Sequence, residues 1–153
     1  MKISLNWLKT YIPFDVDALD LAERLTMTGL EVEAVYDRFD YLDRIVVGRV
    51  IDIQPHPKAD KLKICRVSIG ETTVSIICGA PNVAANNKYP CALPGARLPS
   101  GLRVEKTTIR DADSEGMLCS ELELALGNDR SGLMELDNNI AEGTPLAKAL
   151  GLS

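Results

Sequence analysis

Basic side chains crowd the middle of this sequence, and ammonium and guanidinium groups are the usual protein ligands of phosphate. Between Arg44 and Arg110 there are eleven Lys/Arg but only four Asp/Glu, a formal charge of +7 within a protein whose net charge is −5. Local charge density, rather than the total, decides whether a surface attracts a polyanion. The span therefore predicts a phosphate-binding surface, although the same bases could equally be ordinary solvated strand faces.

Seven of these cations are candidate contacts for a nucleic-acid backbone: Lys58, Lys61, Lys63, Lys88, Arg97, Arg103 and Lys106. Lys58 and Lys61 belong to a predicted loop between two strands, and Lys63 projects from the second of them. Arg66 lies three positions further on, so it is expected on the opposite face and ranks lower. The single histidine, His56, is expected to make structural hydrogen bonds, because nothing else in the chain completes a catalytic or metal-binding set.

The scarcity of aromatic residues and the lack of catalytic motifs limit the kinds of binding and reaction that the sequence supports. Tyr89 is the only aromatic residue between Arg44 and Arg110, whereas proteins that stack single-stranded bases usually carry several aromatic platforms. The predicted contact is therefore with backbone and shape rather than with bases. The sequence also offers no nucleophile–base pair, no phosphate-cradling glycine loop and no metal-ligand spacing, so we expect no catalytic residue, no metal and no cofactor in this chain.

The basic span has the period-two pattern of strands, broken by Gly and Pro. Five strands are predicted: Ile45–Ile53, Lys61–Ile69, Thr72–Cys78, Lys88–Leu93 and Leu102–Ile109. Short strands without a long crossover helix favour a small closed barrel of the oligonucleotide/oligosaccharide-binding (OB) type, in a mainly β protein with flanking α+β segments. Residues 114–120 are expected to close this Greek-key barrel, and cysteines within the apolar runs are expected to be buried reduced thiols.

The flanking segments predict a small α+β unit. Ser4 is expected to cap a helix through Tyr11, a second helix covers Ala18–Thr28, and Leu30–Val35 alternates like a strand. A helix at 120–126, a strand at 132–136 and a last helix at 144–151 are predicted after the barrel. We therefore expect residues 1–43 and 121–153 to form one unit, into which an OB domain at residues 44–120 is inserted. No membrane span or secretory signal is evident, and a cytoplasmic location is expected.

Taken together, five motifs resemble the N-terminal part of bacterial phenylalanine–tRNA ligase β subunits. They are Met1–Leu8, Thr28–Glu33, His56–Leu62, Cys78–Asn82 and Ser114–Ser120. The last three are also similar to the wider tRNA-binding OB module. The resemblance implies an N-terminal fragment of a longer β subunit, with tRNA, the remaining β domains and an α subunit of an α2β2 enzyme as partners, but no DNA or membrane.

The same resemblance implies that the parent enzyme joins phenylalanine to tRNA with ATP and magnesium, on residues outside this sequence. One departure bears on the surface: relatives often have a run of several bases after the Leu102–Val104 strand, whereas here Glu105, Asp111 and Asp113 dilute it and leave Lys106 and Arg110. The leading hypothesis is a tRNA-binding accessory module. The alternatives are a structural module that braces other β-subunit domains and, less consistent with Met1–Val35, a free-standing tRNA-binding protein.

Overall fold

The computed structural model describes residues 1–36, 39–129 and 131–152. Internal contacts divide the chain into two compact units, Met1–Asp37 and Arg38–Ser153. No helix of the described chain combines the length and apolar character needed to cross a bilayer.

The first unit contains helices α1 (Leu5–Lys9) and α2 (Ala18–Met27). Ser4 Oγ accepts a hydrogen bond from the Trp7 amide (3.3 Å), and Asp17 Oδ1 accepts one from the Asp20 amide (2.8 Å), so both predicted helix starts are confirmed. The predicted strand at Leu30–Val35 is wrong: residues 30–36 carry no strand. Its alternating pattern finds no neighbouring strand among the described residues, and a strand is stable only when it is paired.

The second unit is built on a five-stranded antiparallel sheet of order β3-β2-β1-β4-β7, with a separate β5–β6 hairpin. The strands are β1 (Ile45–His56), β2 (Ala59–Ser68), β3 (Thr73–Cys78), β4 (Lys88–Ala92), β5 (Thr107–Ile109), β6 (Ala112–Ser114) and β7 (Met117–Leu118). The first four predicted strands are therefore confirmed. A short 3-10 turn, Asp40–Leu42, precedes β1.

Residues 114–118 close this sheet into a barrel, as the sequence predicted. On one side, Ser114 Oγ accepts from the Ile77 amide (3.1 Å) and the Glu115 amide donates to the Ser75 carbonyl (2.8 Å), both on β3. On the other side, Leu118 pairs with Cys91 of β4. The segment thus links β3 to β4, and the barrel has no open edge there.

The fifth predicted strand, Leu102–Ile109, is interrupted. Arg103 forms only an isolated bridge with Arg97, and Thr107–Ile109 pairs instead with Ala112–Ser114. The turn between β5 and β6 places Arg110 (φ 49°) and Asp111 (φ 68°) in the left-handed region. Two consecutive positive φ angles match the two-residue turn that suits the twist of a hairpin, so the chain reverses here.

The segment after the barrel has less regular structure than predicted. Residues 121–125 form turns rather than an α-helix, opened by a reciprocal cap in which Ser120 and Glu123 exchange hydrogen bonds (2.7 and 3.3 Å). The predicted strand at 132–136 reduces to one bridge between Leu136 and Lys88. The last helix, α3, spans Leu146–Ala149 and follows Pro145.

Two apolar clusters fill the second unit. One occupies the barrel interior and includes Val50, Cys65, Val67 and Ile76. The other joins Ile45 and Val47 of β1 to residues 124, 136 and 146. This shared core differs from the predicted grouping of residues 121–153 with residues 1–43: apolar side chains of the late segment bury against the barrel wall, and the structure places that segment in the second unit.

All four cysteines are buried and reduced, in agreement with the sequence. Burial raises the pKa of Cys65 to about 11 and that of Cys91 to about 12. Removing a thiolate from water is unfavourable, so these thiols remain protonated at neutral pH and act as small core residues.

A strap formed by residues 142–144 ties the late segment to the barrel. Its backbone brackets Val47, whose amide donates to the Thr144 carbonyl (2.9 Å) and whose carbonyl accepts from the Gly143 amide (2.8 Å). Glu142 accepts a hydrogen bond from Ser68 Oγ and forms an ion pair with Arg49 Nε that lacks hydrogen-bond alignment. The Ser68 hydroxyl and, less strongly, the Arg49 charge hold the pKa of Glu142 below its usual range.

Gly116→Ala is expected to lower the free energy of unfolding by about 2 kcal/mol. The added methyl group has no room beside the backbone of β4, so the closing segment and β4 would have to move apart. A Cβ atom at this position would lie 2.7 Å from the Ala92 carbonyl oxygen. Urea denaturation measures the change. Gly79→Ala is the control, since its Cβ would meet only the Leu62 methyl group at 3.2 Å and the Lys61 carbonyl at 3.7 Å. Equal loss in both variants would contradict the role given to the closing segment.

Glu142→Gln is expected to reduce stability at neutral pH by about 1 kcal/mol, because a hydrogen bond from Ser68 to a carboxylate is stronger than the same bond to a neutral amide. Because the folded pKa of Glu142 is lowered, its contribution is present above the unfolded pKa and is lost as pH falls through the folded value. The difference between variant and parent should therefore shrink as pH falls from neutral into the range in which carboxylates become protonated. Urea denaturation across that range checks it, with the exposed Glu135→Gln as control. A difference independent of pH would contradict the assignment.

Candidate nucleic-acid interface

The tight turn between β1 and β2 is held by the histidine that the sequence singled out. His56 pairs with Ala59 across the turn and is buried. Its Nδ1 accepts from the Lys58 amide (3.0 Å), so the neutral ring carries its proton on Nε2 and donates it to the Ile109 carbonyl (3.0 Å). Both ring nitrogens are occupied, which confirms the structural role expected for this residue.

Two hairpin turns meet at this point. Arg110 Nη1 donates to the Lys58 carbonyl (3.2 Å), and Lys58 Nζ forms an ion pair with Asp111. The side chains of Lys58 and Asp111 are 59% and 76% exposed. An ion pair this exposed contributes little net stability, because water competes for both charges. Lys58 can therefore exchange its carboxylate for a phosphate at little cost.

Lys61 and Lys63 lie near the start of β2. Lys61 is exposed, whereas Lys63 is half-buried and shares the inward alternation of Cys65. Burial raises the pKa of Cys65 and of Cys78, and the nearby charge of Lys63 opposes that rise only weakly. Among the described residues, neither lysine forms an ion pair with a carboxylate.

Arg66, which the sequence analysis ranks below Lys63 as a phosphate contact, lies on the outer, solvent-facing side of the sheet, which we call its open face. A register shift in β1 after Val50 sets Asp52 opposite Arg66, and Arg66 is in turn opposite Ser75. The signal was present in the sequence: Arg66 is flanked by Cys65 and Val67, both buried, so alternation directs it outwards. Together with residues of β1 and β3 that include Asp52 and Ser75, Arg66 lines a concavity of about 480 Å³.

Arg97 and Arg103 face one another across a second hairpin, residues 95–104. The Leu98 amide bonds to the Leu102 carbonyl (2.8 Å) and the Val104 amide to the Ala96 carbonyl (2.8 Å) on either side of them. This is the pairing in which side chains approach most closely. Like charges so placed repel, and an anion between them relieves the repulsion.

The charge on this hairpin is only partly compensated. Arg103 Nε lies 3.5 Å from Glu105 Oε1, with both side chains exposed. No ion pair of the described residues includes Arg97. Within the described part of the chain, the hairpin therefore exposes one guanidinium, that of Arg97, without a carboxylate partner.

The remaining two candidates differ from expectation. Lys106 forms an ion pair with Glu115 at 3.3 Å, beside the sheet face. Lys88 is 8% exposed, and its ammonium donates to the carbonyls of Asn138 (2.8 Å) and Ile140. Its inclusion among phosphate contacts is corrected by this geometry: the side chain points into the late segment and secures a loop.

The seven predicted residues thus separate into distinct places. The β1–β2 hairpin carries Lys58, Lys61 and Lys63, the 95–104 hairpin carries Arg97 and Arg103, Lys106 borders the sheet face, and Lys88 is internal. Sequence reasoning missed Arg110, which joins the first group through the Lys58 carbonyl. Tyr89 is fully buried, so it offers no stacking surface. The chemistry available is the binding of phosphate by exposed cations.

Comparisons with known proteins agree with this geometry. A family model described as "Putative tRNA binding domain" matches residues 45–145. The chain is 44% identical, over 99% of its length, to the phenylalanine–tRNA ligase β subunit of Nitratidesulfovibrio vulgaris, and 45% identical to that of Oleidesulfovibrio alaskensis over the same share. It spans about a fifth of the length of these curated relatives, 19% of each.

A solved structure shares the fold. A MetRS-related protein from Pyrococcus horikoshii superimposes with a TM-score of 0.53 at 16% identity, over 72% of this chain and 96% of that one. The fold class is therefore confirmed as a mainly β, OB-like barrel. The family match covers most of the chain, and the similarity to the β subunits covers nearly all of it. The chain belongs to the tRNA-binding domain family, in the form found in phenylalanine–tRNA ligase β subunits.

Proposed function

We propose that this chain holds tRNA by its backbone, through cations on the β1–β2 hairpin and on the 95–104 hairpin. One observation carries the proposal: Lys61, Lys63 and Arg97 form no ion pair with a carboxylate of the described residues. In OB barrels, the connections after the first and fourth strands form much of the ligand surface. Both hairpins occupy those connections.

Lys58 and Arg103 add to this surface because their carboxylate partners are exposed and easily displaced. Each group of cations is local, so acidic residues elsewhere in the chain are screened beyond about 10 Å at moderate ionic strength. The protein's net negative charge is thus compatible with a phosphate-binding surface.

The wider role follows from the relatives. As part of a phenylalanine–tRNA ligase β subunit in the cytoplasm, the chain would support attachment of phenylalanine to tRNA by an α2β2 enzyme that uses ATP and magnesium. No residue of this chain is assigned to ATP, magnesium or the reaction. Its task in that assembly is to hold the tRNA.

A structural bracing role is the second candidate, and specific contacts favour it. Lys88 donates hydrogen bonds to backbone carbonyls within the chain, Lys106 forms an ion pair with Glu115, and Arg49 forms one with Glu142. A module whose cations mainly secure its own fold would contribute little to RNA affinity. The two roles differ in their response to salt.

Binding of labelled tRNA should weaken with salt, with a slope of log K against log salt of about −2 to −4, because each phosphate contact releases a counterion. The double variant Lys61→Ala with Arg97→Ala should reduce the magnitude of that slope by about two, one for each lost contact. Fluorescence anisotropy at salt concentrations from about 50 to about 200 mM measures both.

Two controls separate binding from bracing. Lys148→Ala removes an exposed charge from α3, and Lys88→Met removes a buried one. Both should leave the salt slope unchanged, while Lys88→Met should cost about 1 kcal/mol of stability because the carbonyls of Asn138 and Ile140 lose their donor. A flat salt response, or a slope unaffected by the double variant, would favour the bracing role.

A further inference from the structure

The open face of β1, β2 and β3 carries a concavity that phosphate binding leaves unused. Asp52, Arg66 and Ser75 form one row across the three strands, and Gln54 and Ile64 form the next. Neighbouring strands are about 4.8 Å apart and successive outward residues about 6.8 Å apart. The two rows therefore cover an area similar to that of one nucleobase, within a concavity of about 480 Å³.

The charges of this concavity do not suit a phosphate. Two carboxylates line it, from Asp52 and Glu115, against one guanidinium. Glu115 is engaged, with Oε1 on Lys106 (3.3 Å) and Oε2 near the Ser75 amide (3.4 Å). From the described residues, the Asp52 carboxylate receives only a long contact from Gln54 Nε2 (3.4 Å). The Asp52 carboxylate can therefore accept further hydrogen bonds, and a ligand that presents N–H groups would supply them.

Arg66 supplies a planar surface beside that acceptor. It is exposed, and no ion pair of the described residues includes it, even though Asp52 is its direct cross-strand neighbour. Guanidinium planes stack on nucleobases in RNA recognition, without any aromatic side chain. Ile64, which lies on the same face of β2 as Arg66, adds apolar contact area at the floor. The site therefore combines a stacking plane, an apolar floor and a carboxylate.

We propose that this concavity binds one unpaired guanine of the tRNA, with Arg66 stacked on the ring and the Asp52 carboxylate accepting from N1–H and the N2 amine. Guanine presents two adjacent donors on that edge, which match the two oxygens of a carboxylate. Adenine and cytosine present a single amine beside an acceptor, and uracil presents one N–H between two carbonyls, which repel a carboxylate. The inference rests on the proposed function, which brings the RNA to the barrel.

The test compares labelled RNA pentamers that differ at the central base, at low salt. The pentamer UUGUU should bind about tenfold more tightly than UUUUU, the discrimination typical of one bidentate contact. Inosine at the centre lacks the N2 amine and should lose most of that advantage. This comparison uses the unaltered protein, so it does not depend on the folding of any variant.

Variants then assign the contact. Asp52→Asn should abolish the preference for guanine, whereas Glu71→Gln, the same change of charge in the β2–β3 turn, should retain it. Arg66→Lys keeps the charge but loses the plane, so the guanine pentamer should bind more weakly while the salt slope for whole tRNA is unchanged.

Equal binding of all pentamers, or a guanine preference that survives Asp52→Asn, would overturn the inference. Salt-dependent binding of whole tRNA would then still support the proposed function. Failure to bind whole tRNA at low salt would instead remove the proposed function, and this inference with it.

Discussion

The closing segment at residues 114–118 sets the positions on which the binding surface depends. Ser114 and Glu115 bond to β3, Leu118 pairs with β4, and Gly116 passes so close to the Ala92 carbonyl that no side chain fits between them. Because β6 ends at Ser114, the same segment fixes the β5–β6 hairpin. The turn of that hairpin is joined to the β1–β2 turn through His56 and the Ile109 carbonyl. Barrel closure therefore fixes the position of the β1–β2 hairpin, which carries Lys58, Lys61 and Lys63.

That placement explains why charge in the sequence overstates charge on the surface. The basic span carries a formal +7, yet the fold brings Asp111 to Lys58 and Glu115 to Lys106. Lys88 is withdrawn into the interior altogether. Among the candidate cations of the described chain, those left without a carboxylate partner are Lys61, Lys63 and Arg97 on the two hairpins and Arg66 on the sheet face. So few free charges suit moderate, salt-sensitive affinity rather than tight binding.

Much of the barrel could be predicted because its information is local. Period-two alternation located β1 to β4, and the capping residues Ser4 and Asp17 located two helix starts. The strand predicted at Leu30–Val35 failed because alternation states only that a segment could pair, and its partner depends on the rest of the chain. The interruption of Leu102–Ile109 depends likewise on two positive φ angles at Arg110 and Asp111.

The site was less predictable than the fold, for the same physical reason. The Asp111 carboxylate that pairs with Lys58 and the carbonyl that accepts from Lys88 lie 53 and 50 residues away in sequence, so no local pattern reveals them. Arg66 and Lys63 lie on opposite faces of β2, as the sequence predicted; the buried neighbours Cys65 and Val67 identify Arg66 as the outward residue and Lys63 as the inward one. Burial of flanking residues is a better guide to a strand's exposed face than the spacing between two cations.

Chemical-shift mapping of the ¹⁵N-labelled chain with unlabelled tRNA tests most directly whether these hairpins form the RNA-binding surface. If they do, the largest amide shifts at low salt will fall in the β1–β2 turn and in residues 95–104, and they will fade as salt is raised. Shifts confined to the late segment at residues 131–152, or shifts that persist unchanged at high salt, would contradict it.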